Sequence, residues 1–236
     1  MNMPGQSYHY GFSRLLAEKT GREFTNKLAI GTLVIDSLNS AAGSRRASHF
    51  CGGAGCVLPR LSELRQGIKI QSFDSRFKES YLVDPMINMR LFEAVNIHLA
   101  EDEYKDGIRI HLLADREYDR LVQNTLFDVS NQKNNQIRVR STGRIIDGQQ
   151  FRKELYASYP MLDQYILKKA GVTEDEINEV KELLFATLND DAASFISKYL
   201  NFNPDLEWHD TEFFNESVIN QLIDQTLETV IKYIKK

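Results

Sequence analysis

The sequence predicts an all-α protein: a single-domain, multi-helix bundle with one small β-hairpin at most. Apolar residues recur every three or four positions along most of the 236-residue chain, which is the period of an α-helix with one buried face. Capping and turn residues divide this pattern into lengths typical of helices. A chain of this length with 42% hydrophobic residues can bury a full core. We therefore expect residues 1–236 to form one domain.

The chain falls into three parts. In residues 1–125 the predicted helices are 8–21, 25 to about 40, a short one near 59, 84 to about 99, and 106–122. Residues 41–59 are rich in small side chains and predict a loop. Residues 126–148 are polar, with an apolar alternation that indicates a hairpin or an ordered loop. Residues 149–236 predict further helices at 150–170, 173–188, 191–200 and 216–234.

Charge and composition limit the classes of function. The 29 basic and 33 acidic residues leave a net charge of −4, so no overall positive field favours nucleic acid. The amino terminus lacks the pattern of a signal peptide, and the longest apolar run is too short to span a bilayer. We expect a soluble, cytoplasmic protein. No pattern indicates an oligomeric state.

His111 and Asp115 are the first candidate functional residues. In a helix over 106–122 they stand one turn apart on the same face, which is a spacing that can hold one divalent ion. The alternative is structural, because a histidine beside Leu112 and Leu113 is often a buried, hydrogen-bonded residue. The other ligands of a metal would have to come from elsewhere in the chain.

Asp36 is the second candidate. It lies near the end of the predicted helix at 25–40, where the helix dipole disfavours a carboxylate. Asp36 therefore needs a nearby cation, and both Arg45 or Arg46 and a metal ion satisfy that need. Guanidinium groups beside a metal are also suited to hold a phosphate.

The predicted loop at 41–59 holds His49 and both cysteines of the chain. Cys51 and Cys56 with His49 could bind zinc, but their spacing is not that of common zinc modules. The glycines between them are not followed by the GK[ST] of a P-loop. The simplest interpretation is a loop with two small, reduced thiols.

Three segments taken together resemble a known family. The run KLAIGTLVID, then RRASHF, then DGIRIHLLAD is similar to the ordered G-x-x-x-x-D, S-H-F and G-x-x-x-H-L-x-x-D pattern of the zinc-dependent phospholipase C family and its uncharacterised bacterial relatives. The opening HYGF is similar to the HYxF of some of those relatives. The resemblance covers about the first half of the chain, with a weaker echo in DGQQFRKELYASYPMLDQYIL. It implies a helical bundle of the zinc-dependent phospholipase C type.

The resemblance also implies a ligand set. Asp36, His49, His111 and Asp115 would bind one zinc ion, Asp115 would bridge to a neighbouring ion, and His9 would bind that neighbour. The total would be one to three zinc ions. The chain departs from three-metal members of the family, since it has no histidine between His111 and His209. That departure puts the second part of the metal cluster in doubt. Glu154 and Asp163 on the following helix are candidate oxygen ligands, and both also suit a solvated helical face.

These residues predict a zinc-dependent hydrolase of a phosphoester, either phospholipase C-like or a phosphodiesterase. Zinc would activate water, Asp36 or Asp115 would accept the proton, and Arg45 and Arg46 would stabilise phosphate charge. The expected partner is a phosphate-containing small molecule or a lipid head group. The alternative is a non-catalytic helical binding or interaction protein that keeps a structural or vestigial metal site.

Overall fold

Helices form most of the structure, a computed structural model that describes residues 5–51, 53–66, 70–74, 87–122, 127–128, 136–140, 142–211 and 213–234. The helices are α1 (Gln6–Thr20), α2 (Asn26–Ser37), α3 (Arg45–Ser48), α4 (Met89–Val95), α5 (Glu103–Arg120), α6 (Gly148–Lys169), α7 (Glu174–Thr187), α8 (Asp190–Tyr199) and α9 (Glu216–Ile234), with a 3-10 helix at Leu61–Gln66. The strands are β1 (Ala54–Val57), β2 (Gln71–Asp74), β3 (Phe127–Asp128), β4 (Gln136–Val139) and β5 (Ile145–Asp147). The prediction of a mainly helical protein is confirmed. No helix among the described residues is long and apolar enough to cross a membrane.

Several predicted helix ends are confirmed by their capping contacts. The Thr25 side chain accepts a hydrogen bond from the backbone N–H of Leu28 and begins α2, as expected for an N-cap threonine. Gly21 ends α1 with a φ of 66°, a conformation that glycine adopts at low cost. The Thr173 side chain caps α7 in the same way as Thr25 caps α2. Local sequence therefore determines where these helices start and stop.

The two small sheets refine the all-α prediction. The predicted hairpin is present, because β4 pairs with β5 with Ile137 opposite Ile146, and β3 adds a third strand. The loop predicted at 41–59 is wrong in part, since it contains α3 and β1, and β1 pairs antiparallel with β2. Its small residues allow close packing: a Cβ on Gly55 would lie 3.1 Å from the Phe50 ring. Small size here serves packing as well as chain flexibility.

The helix predicted from residue 84 begins later in the structure. The Asn88 side chain caps α4, which ends at Val95, so Leu99 lies beyond it. The predicted start at Asp84 and Pro85 lies outside the described residues. His98, just after this helix, places its Nε2 2.8 Å from the carbonyl oxygen of Leu58. That contact fits a structural role.

The crossing of α2 and α5 positions the candidate site. A Cβ on Gly31 would lie 2.1 Å from the carbonyl oxygen of Tyr104, and a Cβ on Gly107 would lie 2.3 Å from that of Leu28. The two backbones therefore touch at glycines, and no other side chain fits there without movement. The close approach brings the carboxyl-terminal end of α2 beside the middle of α5. α1 packs against both helices and against α6.

Candidate metal centre

Four elements bring the five predicted metal ligands together. They are His9 on α1, Asp36 in the last turn of α2, His49 at the end of α3, and His111 and Asp115 on α5. Two overlapping groups have ligand atoms within 4.8 Å of one another, namely His9, Asp36 and His111, and His49, His111 and Asp115. Residues distant in sequence thus converge on one buried place.

Hydrogen bonds fix which nitrogen of His111 is free. Its Nδ1 lies 2.8 Å from the carbonyl oxygen of Thr32. Because a carbonyl oxygen only accepts, Nδ1 carries the proton and Nε2 presents a lone pair. Burial lowers the pKa of His111 to about 3, so the ring is neutral near pH 7. Metal-binding histidines usually make such a hydrogen bond through the ring nitrogen that does not bind the metal, as Nδ1 of His111 does to Thr32.

His49 is oriented in the same way. Its Nδ1 lies 3.1 Å from the carbonyl oxygen of Arg45 and 2.8 Å from the Ser48 hydroxyl. A proton on Nδ1 would be donated to this carbonyl, and in that tautomer Nε2 is again the lone-pair nitrogen. That nitrogen lies 3.3 Å from Nε2 of His111. At this distance the two Nε2 atoms either share a proton in a hydrogen bond or direct both lone pairs at a common cation.

The spacing of the inward-facing atoms fits a tetrahedral ion. Nε2 of His49 is 3.2 Å from Asp36 Oδ1 and 3.5 Å from Asp115 Oδ2. Nε2 of His111 is 3.7 Å from the same Asp115 oxygen. Zinc binds nitrogen and oxygen at about 2.0–2.1 Å, which places tetrahedral ligands about 3.3–3.4 Å apart. A zinc-sized ion therefore fits this donor set.

His9 lies on the other side of Asp115. Its Nε2 is 3.2 Å from Asp115 Oδ1, and its ring stacks on His111 with centroids 3.8 Å apart. The contact with Nε2 of His9 helps to lower the pKa of Asp115, whereas Nδ1 of His9 has no hydrogen-bond partner among the described residues, although buried polar groups are normally satisfied. Asp115 thus turns one oxygen towards His49 and the other towards His9.

Arg45 forms ion pairs with both carboxylates. Its guanidinium donates to Asp36 Oδ1 at 2.7 Å and to Asp115 Oδ2 at 2.6 Å. Burial alone would raise the pKa of both aspartates, but the contact of Asp36 with His49, the contact of Asp115 with His9, and the charge of Arg45 beside both hold each pKa well below its usual range. The carboxylates are therefore ionised at neutral pH. Two negative charges and one guanidinium leave the cluster short of positive charge.

Access to the cluster is from the side of Arg45. The side chains of His111 and Asp115 are 0% exposed, whereas those of Asp36 and Arg45 are 12% and 34% exposed. Arg46, the other predicted phosphate-binding residue, directs its Nε to the carbonyl oxygen of Cys51 at 3.2 Å. Arg45 has direct ion pairs to two of the predicted metal ligands, Asp36 and Asp115.

Glu154 and Asp163 have different surroundings. Asp163 Oδ1 accepts a hydrogen bond from the backbone N–H of Gly5, at the start of α1, where the N-cap glycine offers no side chain. Burial raises the pKa of Asp163 to about 7. Glu154 accepts from Gln150 at 3.3 Å through one oxygen, and its other oxygen is a buried acceptor without a partner among the described residues. Asp163 therefore has a structural role at α1 that the sequence pattern did not predict.

The two cysteines are free thiols, as predicted. Burial raises the pKa of Cys51 to about 11 and that of Cys56 to about 12. Neither belongs to the two groups of residues that could hold a metal within the described part of the chain. Both thiols are thus protonated near neutral pH and are weak nucleophiles and weak ligands.

Sequence reasoning missed the residues that support this centre. Gln6 donates from Nε2 to Asp36 Oδ2 at 3.1 Å, Thr32 orients His111 through its backbone, and Ser48 contacts the His49 ring. Ser48 belongs to the S-H-F segment, and that motif assigns it no role. For a backbone acceptor such as Thr32, no side-chain pattern gives a signal.

Comparisons with models of protein families, with curated proteins and with solved structures found no match for this chain. The candidate function therefore depends on the residues themselves and their geometry.

Proposed function

We propose that this protein is a metal-dependent hydrolase of phosphoesters, with zinc as the ion and a reaction of the phospholipase C or phosphodiesterase type. One observation carries the proposal. Two histidine Nε2 atoms and two carboxylate oxygens face one another at 3.2–3.7 Å, and both histidines use Nδ1 for a hydrogen bond elsewhere. Such a donor set suits zinc. A mainly helical fold is also what the resemblance to zinc-dependent phospholipase C implies.

The four ligands in this proposal are Asp36, His49, His111 and Asp115, and His9 would bind a neighbouring ion through the shared Asp115. A bound divalent ion supplies Lewis acidity, which lowers the pKa of water and polarises a phosphoryl oxygen. Asp36 is better placed than Asp115 to accept a proton at the mouth of the site, because it is partly exposed while Asp115 is fully buried. Proton acceptance requires this access to water.

Arg45 is the anion-binding group of the proposed site. It lies at the exposed side of the cluster, and a guanidinium can bind two phosphate oxygens at once. Arg46 follows it on the same short helix and is proposed as a second positive charge for the substrate. The substrate is then a phosphate-containing small molecule or a lipid head group that reaches the cluster from this side.

The proposal is tested by His111→Ala and Asp36→Ala. Purified without chelator, the wild-type protein should contain zinc and hydrolyse a chromogenic phosphodiester, and both variants should lose the metal and the activity while circular dichroism shows unchanged helical content. His209→Ala is the matched control, since His209 is exposed and should leave both properties unchanged. Full metal content and activity in either site variant would refute the proposal.

A second candidate function is a binding protein with a structural metal site. The complete burial of His111, His49 and Asp115 favours it, because structural zinc sites are closed and catalytic ones keep an open position. Zinc bound in an amount equal to the protein, without hydrolysis of a phosphodiester, a head-group ester or single-stranded nucleic acid, would favour this candidate over the hydrolase.

A further inference from the structure

Ser48 is the centre of a small buried network of hydrogen bonds on the Nδ1 side of His49. Ser48 is 0% exposed, and its Oγ lies 2.8 Å from Nδ1 of His49 and 3.0 Å from the carbonyl oxygen of Arg45. The Ser48 hydroxyl also donates to Oδ1 of Asn39. We call these four groups the Ser48 network: the Asn39 amide, the Arg45 carbonyl, the Ser48 hydroxyl and Nδ1 of His49.

The Ser48 network joins the segments that carry two of the proposed ligands. Asn39 follows Asp36 in the turn after α2, and its backbone N–H donates to the carbonyl oxygen of Asp36 at 3.3 Å. Ser48 is the last residue of α3 and directly precedes His49. The hydrogen bond between the Asn39 and Ser48 side chains therefore connects the end of α2 to the end of α3. This connection helps to place the His49 ring against the Asp36 carboxylate.

The donors and acceptors of the Ser48 network decide where the His49 proton lies. The Arg45 carbonyl and Oδ1 of Asn39 only accept, whereas a hydroxyl donates one proton and accepts through its lone pairs. If Nδ1 had no proton, the Ser48 hydroxyl would offer one proton to three acceptors. If Nδ1 carries a proton, Ser48 donates to Asn39, and Nδ1 donates to the Ser48 oxygen and to the Arg45 carbonyl, which lies 3.1 Å from it. The second arrangement satisfies all four groups, as is usual for buried polar groups.

A proton on Nδ1 has a direct consequence for the metal centre. A neutral imidazole has one N–H group, so Nε2 of His49 then directs its lone pair towards the other proposed ligands. Oδ1 of Asp36 and Nε2 of His111 lie 3.2 Å and 3.3 Å from this nitrogen. A hydrogen bond to the other ring nitrogen commonly fixes the tautomer and the ring orientation of a metal-binding histidine. At His49 this partner includes a hydroxyl that is itself held by an amide oxygen.

We propose that Ser48 and Asn39 are positioning residues of the metal centre. Asn39 holds the Ser48 hydroxyl as a donor, and Ser48 holds the His49 ring in the tautomer and orientation that bind zinc through Nε2. This inference deepens the proposed function and rests on it. Neither residue is a ligand: Ser48 acts through His49, and Asn39 acts through Ser48. Because the two residues act in series, the effects of replacing them are not additive.

Zinc affinity, measured by competition with a chromophoric chelator, tests this order of action. Ser48→Ala should bind zinc about tenfold more weakly than wild type, at the low end of the usual loss for such a partner, because the Arg45 carbonyl still accepts from Nδ1. Asn39→Leu should also weaken binding, whereas Asn39→Asp keeps an acceptor oxygen and should bind zinc at least as tightly as wild type. The double variant of Ser48→Ala and Asn39→Leu should bind no more weakly than Ser48→Ala alone.

Nitrogen NMR of the His49 ring tests the tautomer without any metal. In the metal-free wild type, Nδ1 should carry a proton, and this proton should exchange with solvent faster in Ser48→Ala. Ser158→Ala is the matched control, because Ser158 is also 0% exposed and donates to the carbonyl oxygen three residues before it, that of Leu155. Ser158 lies on α6, outside the Ser48 network, so its replacement should change neither zinc affinity nor the His49 proton.

Several results would overturn the inference. They are wild-type zinc affinity in Ser48→Ala or in Asn39→Leu, additive losses in the double variant, and an Nδ1 of His49 without a proton in the metal-free wild type. Asn39 is partly exposed, so Asn39→Leu keeps the test open if Ser48→Ala does not fold. Failure of the wild type to bind zinc would instead refute the proposed function, and the NMR measurement on metal-free protein separates the two failures.

Discussion

Replacement of Arg45 by methionine should strengthen metal binding and weaken anion binding. The guanidinium donates to one oxygen each of Asp36 and Asp115, and those same oxygens face Nε2 of His49. Arg45 and a metal ion therefore compete for the same two oxygens. Methionine keeps the length of the side chain, and the Arg45 carbonyl that orients His49 is unaffected.

Coulomb's law gives the scale of this effect. A divalent ion and a guanidinium about 5 Å apart repel by roughly 7 kcal/mol at an effective dielectric constant of about 20. The Arg45 side chain is 34% exposed, so solvent screening and outward rotation of the guanidinium reduce the repulsion to a fraction of that value. A remainder of about 1.4–2.8 kcal/mol corresponds to an affinity for zinc roughly ten to a hundred times higher in the variant.

A competition titration against a chromophoric chelator measures the zinc affinity. Arg22→Met is the matched control, because Arg22 has the same exposure, 35%, and forms an ion pair of 2.6 Å with Asp106, which is not among the proposed ligands. Arg22→Met should leave the zinc affinity within about twofold of wild type, which is a difference of less than about 0.5 kcal/mol. In the zinc-loaded Arg45→Met variant, phosphate should bind more weakly than in wild type. Weaker zinc binding by a folded Arg45→Met variant would refute the competition.

Three further predictions concern packing, pH and thiols. Gly107→Ala should lower the free energy of unfolding in urea by about 3 kcal/mol and reduce zinc binding, because the new methyl group would meet backbone atoms of α2. In chelator, Asp163→Asn should change the pH dependence of stability: the pKa of Asp163 is about 7 in the folded state and about 3.9 in the unfolded chain. The contribution of Asp163 is complete below about pH 4 and is lost as the pH rises to about 7. Iodoacetamide should leave Cys51 and Cys56 unmodified in the folded protein at pH 8, as judged by mass spectrometry, since burial raises the pKa of both.

Each of these has a contradicting result. Wild-type stability in Gly107→Ala would mean that α2 and α5 are not held in backbone contact. If the Asp163 carboxyl is not buried in its protonated form, the difference in unfolding free energy between wild type and Asp163→Asn should be the same at every pH. Rapid alkylation of either cysteine without denaturant would contradict its burial. Alkylation in urea is the control for reactivity.

Much of the helical fold could be predicted because its signals are local. The spacing of apolar residues in α5 and the capping residues Thr25 and Thr173 depend on neighbours along the chain, and the structure has all three features where they were expected. The sheet of β1 and β2 could not be predicted in this way. Its strands are short and far apart in sequence, and the small residues of β1 have the composition of a loop.

The candidate site could be predicted in its ligands but not in its supports. His111 and Asp115 followed from helical spacing, and His9 and His49 from the resemblance to a family. The supporting contacts are long-range: Thr32 is 79 residues from His111, and Gln6 is 30 residues from Asp36.

Anomalous diffraction at the zinc absorption edge, from crystals grown with zinc, tests the proposed site most directly. We expect a peak about 2.0–2.1 Å from Nε2 of both His49 and His111, with the Arg45 guanidinium moved away from Asp36 and Asp115. Crystals soaked in zinc that show no peak there, with Arg45 still paired to both carboxylates, would contradict a metal centre at this place.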